Sequence, residues 1–170
     1  PNAVTGVKIV TTPDIRWARR DIKTVMLLAP VLGKQEAYEK GAHEAWMVEG
    51  GVVTEGTSSN AYIVKDGKVI TRGLSNSILA GCTWRALFRL AQDHGIVIEE
   101  RSFTPDEAYA ADEAFLTSAS QFVMPIVEID GRRADIRSAR DAAKAGLGFV
   151  PEERARQGLF FNLSLVPNII

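Results

Sequence analysis

Four short stretches carry residues whose types could do chemistry. Lys23 stands in Asp21-Ile22-Lys23-Thr24, flanked by Ile22 and by Val25-Met26-Leu27-Leu28. An amine kept from water sheds its proton more readily and can then form a Schiff base with an aldehyde. The plainer reading is a surface charge, one of 20 lysines and arginines. Glu55 follows Val52-Val53-Thr54 and opens Gly56-Thr57-Ser58-Ser59-Asn60, which holds more hydrogen-bonding groups than a plain connection needs. A carboxylate at a strand end can be held against a ligand by the scaffold behind it. The alternative is a solvated hairpin. Gly81-Cys82-Thr83 puts small residues at the opening of a helix, and Ser118-Ala119-Ser120 is a small polar turn.

These residues need elements to position them. Gly6 to Thr12 alternates and is rich in β-branched residues, so it reads as a strand ended by Pro13-Asp14. Arg16, Arg19 and Arg20 crowd Ile15 to Ile22. That stretch reads as a solvated basic strand, or else one arginine sits near a bound anion. Ala29 to Gly41 reads as a helix with a solvated charged face and a glycine stop. Ala42 to Val48 is a strand. Val52 to Val64 reads as strand, polar turn, strand, and Lys65-Asp66-Gly67-Lys68 is a tight hairpin turn before Val69-Ile70-Thr71. A helix runs from Thr83 to His94 and Gly95 stops it; Ile96-Val97-Ile98 is a strand. Thr104-Pro105-Asp106-Glu107 carries a capping box that opens a short helix to Ala111. Ala114 to Ser118 and Ile126 to Ile129 are the last strands before the Asp130-Gly131 turn. The sum is an α/β mixture of the α+β type, a mixed or antiparallel barrel-like sheet flanked by helices. No glycine-rich dinucleotide fingerprint occurs.

Composition narrows the function classes. A net charge of -1 gives no electrostatic reason to expect nucleic acid or a membrane as partner. The single cysteine, Cys82, rules out an internal disulfide framework and fits a reducing compartment such as the cytoplasm. Neither His43 nor His94 has a second ligand at metal spacing, so no metal is expected.

The ordered series from Glu55 to Gly81 resembles the class IV aminotransferases, the fold-type IV pyridoxal-phosphate enzymes, most closely the D-amino-acid aminotransferases. The family pattern Glu-x-small-x-x-Asn-apolar-aromatic is matched by Glu55, Thr57, Asn60, Ala61 and Tyr62. Apolar-x-Thr is matched by Val69 and Thr71, and apolar-x-Gly by Leu79 and Gly81. Two positions depart from it: Cys82 stands where an aliphatic residue is usual, and Trp84 where a basic one is.

The resemblance implies pyridoxal 5'-phosphate as cofactor and transamination between an amino acid and a 2-keto acid, with D-amino acids favoured. It implies Lys23 as the Schiff-base lysine and the acid–base group, and Glu55 as the acid beside the pyridine nitrogen. Leu79 would pack on the ring. Cys82 and Thr83 would contact the phosphate at the helix start, where free N–H groups suit an anion. Ser118 and Ala119 would form a second contact turn, with one hydrogen bond fewer because the family has a hydroxyl at Ala119. Branched-chain aminotransferases and aminodeoxychorismate lyase share this cofactor half. The family assembles as a homodimer, and a further N-terminal domain precedes this region and closes over the cofactor. Without that domain the site would stand open to water, and little turnover is expected.

The tail reads differently. Gly146-Leu147-Gly148-Phe149-Val150-Pro151-Glu152-Glu153-Arg154 and Gly158 to Ser164 resemble an internal piece of the ATPase subunit of sugar-importing ABC transporters. No phosphate-binding loop accompanies them. The expectation is therefore a cofactor domain over residues 1 to 130 joined to a foreign, helical or irregular fragment over 131 to 170, the junction of two partial genes. A non-catalytic transporter fragment and an inert binding domain are the other classes of answer.

Overall fold

The computed structural model describes residues 5–133. The transporter-like tail therefore lies outside the described residues, apart from Gly131 to Arg133. Strands β1 (Val7–Pro13), β2 (Glu44–Glu49), β3 (Val52–Gly56), β4 (Asn60–Lys65), β5 (Lys68–Thr71), β6 (Ile98–Glu100), β7 (Glu113–Ser118), β8 (Phe122–Ile129) and β9 (Arg132–Arg133) alternate with three helices. These are α1 (Leu28–Glu39), α2 (Cys82–Asp93) and α3 (Pro105–Tyr109). One sheet runs in the order β3-β2-β1-β8-β7-β4-β5-β6, with β9 added to β8. It is mixed: β1 is parallel to both β2 and β8, whereas β7 is antiparallel to β4 and β8.

The alternation of side chains along each strand makes two faces. On β4, Ala61 and Ile63 join one buried cluster with Ile9, Trp46, Val53, Phe103, Leu116 and Ile126. Tyr62, between them, joins a second with Val69, Trp84 and Phe115, on which Leu87 and Phe88 of α2 pack. Tyr62 and Phe115 face each other across the ladder and stack at 4.7 Å. Val10, beside Ile9, turns to the other face and meets Ala37 of α1 and Ala45. The sheet thus curls around the first cluster and carries α1 and α2 on its outer side, which is the barrel-like sheet flanked by helices expected from the sequence. Burying each large apolar side chain here contributes about 1.5–3 kcal/mol.

Local chemistry sets the ends. Thr104 caps α3 by accepting from the Glu107 N–H at 3.1 Å, and Glu107 accepts from the Thr104 N–H at 3.0 Å. Asp66 and Gly67 both have positive φ in the turn between β4 and β5, as a tight hairpin requires. Trp84, the departure from the usual basic residue, is buried and stacked on Phe88 at 3.9 Å, so it serves the packing of α2.

Two of the plainer alternatives are not what forms. Val52 to Val64 is strand, polar turn, strand as read, but not the alternative hairpin: β3 pairs with β2 at one end of the sheet, while β4 pairs with β5 and β7 further along. Gly56 to Ser59 is a corner that carries the chain between distant parts of the curl, closed by the Gly56 N–H donating to the Ser59 carbonyl at 2.8 Å. Ile15 to Ile22 is not a basic strand but an irregular loop, because Arg16 turns inward to the buried Asp14 and Arg20 folds between Asp14 and the half-exposed Glu49 instead of alternating with apolar residues.

Candidate active site

The corner after β3 is where polar groups collect. Glu55 is only 4% exposed. Three donors make four contacts with its carboxylate. The Arg16 Nη1 donates to Oε1 at 2.5 Å, the Asn60 amide to Oε2 at 3.1 Å, and the Leu79 N–H to both oxygens at 3.1 and 3.3 Å. Burial pushes the Glu55 carboxyl above the usual range, and Arg16 opposes that shift. Geometry fixes the group from three directions: the start of β4 through Asn60, the loop after β1 through Arg16, and the segment before α2 through Leu79.

Arg16 also forks onto Asp14, with Nη2 at 2.7 Å from Oδ2 and Nε at 2.9 Å from Oδ1. Burial acts to raise the Asp14 carboxyl, but the hydrogen bonds from Arg16 and Thr54 outweigh it and hold the group below its ordinary value. Asp14 is in turn 3.5 Å from the Arg20 Nε, and Arg20 forks onto Glu49 with two contacts of 2.7 Å. Charges therefore alternate along Glu55, Arg16, Asp14, Arg20 and Glu49, from the sheet interior to a half-exposed end.

Asn60 ties Glu55 to the next segment. Its amide donates to the Leu79 carbonyl at 3.0 Å as well as to Glu55. Gly81 follows as the N-cap of α2, with no side chain capping the helix. A Cβ at Gly81 would come within 2.7 Å of the Asn60 Oδ1, so only glycine lets the backbone approach there. The first N–H groups of α2, from Cys82 to Trp84, thus open beside the Glu55 cluster, and first-turn N–H groups have no intrahelical partner. The Thr83 hydroxyl donates to the Ser118 carbonyl at 2.9 Å, which fastens α2 to the end of β7. Ser118 accepts from the Gln121 N–H at 3.1 Å, closing the turn that exposes Ala119.

Glu55, Asn60 and the Leu79 backbone thus form one set of contacts, and Cys82, Thr83 and Ser118 a second, with the exposed Ala119 beside Ser118; Gly81 joins the two along the chain. Lys23 is placed otherwise. It is exposed, in the loop between β1 and α1. The apolar enclosure expected around it is absent among the described residues: Ile22 is 43% exposed, Val25 93% and Met26 61%. No metal-holding group occurs among the described residues; His43 meets Gln121 at 3.1 Å instead.

Sequence reasoning does not single out Arg16, Asp14 or Arg20, beyond the alternative that one of the three arginines sits near a bound anion. Asn60 was noted only as part of a motif. A usable signal was the Asp14-x-Arg16 spacing directly after a strand, which lets a short acid and a long base share one side of the exit loop.

A model of the family described as Amino-transferase class IV matches residues 2–129. The chain belongs to that family. It is 42% identical over 127 residues to the D-alanine aminotransferase of Bacillus licheniformis, covering 75% of this chain and 45% of that protein. It is 46% identical over 126 residues to the D-alanine aminotransferase of Staphylococcus epidermidis, covering 74% of this chain and 45% of that one. The T.th. branched-chain amino acid aminotransferase, solved with pyridoxamine 5'-phosphate, superposes with a TM-score of 0.71 at 28% identity. That match covers 79% of this chain and 46% of the other. The chain spans about half the length of the curated relatives it matches.

Proposed function

We propose that this chain carries the cofactor-binding part of a pyridoxal-phosphate aminotransferase that moves an amino group between a D-amino acid and a 2-keto acid. The observation that carries the reading is Glu55, a buried carboxylate fixed by Arg16, Asn60 and the Leu79 N–H beside the open start of α2. The relatives named for D-alanine support the substrate class, and the structural neighbour holding pyridoxamine 5'-phosphate supports the cofactor.

The donor set fits that group. An acid suits the ring nitrogen, a helix start lined by small residues suits the phosphate, and Gly81 leaves the space that a Cβ would fill. Glu55 would hold negative charge at the ring nitrogen. Cys82, Thr83 and Ser118 would face the phosphate, with Ala119 at the rim and Leu79 against the ring. Bound there, the cofactor supplies an electron sink for the pair left at the substrate α-carbon when its proton departs. Lys23 would hold the cofactor aldehyde and, once displaced by the substrate amine, carry that proton between the α-carbon and the neighbouring cofactor carbon. Its exposed position suits an amine that must reach a ligand, not one buried in the fold.

Residues beyond those matched here would close the site, recognise the substrate carboxylate and complete a homodimer, since the relatives are about twice the matched length. The segment 131 to 170 is proposed as a foreign fragment, in keeping with a family match that ends at residue 129. Pyruvate formation from D-alanine and 2-oxoglutarate tests the reading, with and without a D-alanine aminotransferase N-terminal domain added. Pyruvate that requires the added domain is the expected result. Turnover of L-leucine in place of D-alanine would move the assignment to the branched-chain enzymes.

A further inference from the structure

The loop from Asp14 to Leu27 carries Lys23, yet hydrophobic packing does little to hold it. Ile15, Ile22, Val25, Met26 and Leu27 are each more than two-fifths exposed. Its fixed points are polar. The Asp14 N–H donates to the Val48 carbonyl at 2.8 Å, and Arg16 is bound to Asp14 and Glu55. Further along, Arg20 is 7% exposed and is the buried residue nearest in sequence to Lys23.

Arg20 joins three segments. Its guanidinium forks onto Glu49 at the end of β2 with two bonds of 2.7 Å. Its Nη2 also reaches the Arg16 carbonyl at 3.4 Å, and its Nε lies 3.5 Å from Asp14, an ion-pair distance without a hydrogen bond. Its backbone N–H donates to the Asn76 carbonyl at 2.9 Å. Asn76 begins the run to Leu79, whose N–H holds Glu55. One residue therefore links the loop of Lys23, the strand end at Glu49 and the segment that seats Glu55.

We infer that Arg20 is a positioning residue: through Glu49, Asp14 and the Asn76 carbonyl it sets where the Lys23 loop stands relative to the Glu55 carboxylate. The inference rests on the assignment of Lys23 as the cofactor amine. A planar fork with two short charge-assisted bonds fixes direction as well as distance, which a lysine at this position cannot reproduce. Glu49 is the half-exposed outer end of the chain of charges, so removing it loosens the fork without opening the core.

The test uses the full chain and the variants Arg20→Gln, Arg20→Lys and Glu49→Gln. Amide hydrogen exchange over 17–23, without cofactor, reads the anchoring directly. Losing charge-assisted bonds of this kind should speed exchange there by about tenfold or more in Arg20→Gln and Glu49→Gln. Exchange in β4 and β7 should stay unchanged, which separates local loosening from general unfolding. In parallel, borohydride reduction with added pyridoxal phosphate reads the rate of labelling at Lys23. That rate should fall in Arg20→Gln and recover in part in Arg20→Lys. Unchanged exchange over 17–23 in both charge-removing variants would overturn the anchoring. Faster exchange with wild-type labelling of Lys23 would overturn the positioning role. No Lys23 labelling in the parent chain, with exchange behaving as expected, would instead strike the functional reading and, with it, the link to the amine.

Discussion

Replacing Arg16 by methionine is the sharpest perturbation of the site, because it removes one cation from between two buried acids. The Asp14 side chain is fully buried, that of Glu55 is 6% exposed, and that of Arg16 12%. Methionine keeps much of the volume, so the change reports charge and not a cavity. Removing one partner of a buried ion pair costs about 3–5 kcal/mol because the other charge stays in low dielectric. Here the lower end applies. Glu55 keeps its bonds from Asn60 and Leu79, and Asp14 keeps Thr54 and the nearby Arg20. A loss of about 3 kcal/mol at neutral pH follows, a large part of the about 5–15 kcal/mol typical of a domain.

The loss should depend on pH with a definite sign. Glu55 already has a raised folded value, so the native state takes up protons before the unfolded state does, and acidification relieves it. Asp14 has a lowered folded value, and its contribution is lost only as the pH drops through that low value. Without Arg16 both acids rise, and the variant gains more than the parent as pH falls. Urea unfolding of parent and variant at about pH 8 and about pH 5 measures this, and the difference between them should shrink toward the acid side. A difference below about 1 kcal/mol at the higher pH, or one that widens on acidification, would refute the reasoning.

Three further outcomes follow from the same contacts. Glu55→Gln should keep its bond from Arg16 but slow the half-reaction with D-alanine about a hundredfold, measured in the presence of the N-terminal domain of a D-alanine aminotransferase. Gly81→Ala must displace Asn60, whose Oδ1 lies 2.7 Å from the new Cβ; a stability loss of about 1–3 kcal/mol in urea unfolding is expected, with weaker cofactor binding. Thr83→Val removes the 2.9 Å bond to the Ser118 carbonyl and should cost about 1 kcal/mol, while calorimetric titration shows lower affinity for pyridoxal phosphate.

Local chemistry was the legible part of this chain. The capping box of Thr104 and Glu107, the Asp66-Gly67 turn and the glycine-led start of α2 all form where residue types alone place them. What escaped is long-range. Glu55 and Arg16 lie 39 positions apart, and Arg20 and Glu49 lie 29 apart. No periodicity announces a pair of that kind. At Gly56 two strands flank a polar turn, a pattern that residue types alone do not separate from a solvated hairpin. Only the position of β1 and β8 between their ladders shows that the strands part. Gly56 itself is required there, since a Cβ would fall 2.2 Å from the Ser59 Oγ. The apolar neighbours of Lys23 misled in the opposite sense: hydrophobic residues in sequence imply burial only where something packs on them, and Val25 is 93% exposed.

The most direct test locates the cofactor on the chain. Pyridoxal phosphate is added to the full chain, reduced with borohydride, and the peptides are mapped by mass. The phosphopyridoxyl group should sit on Lys23, in stoichiometric amount, and that specific label should be lost in Lys23→Ala. Label scattered over surface lysines, or concentrated on a lysine other than Lys23, would contradict it.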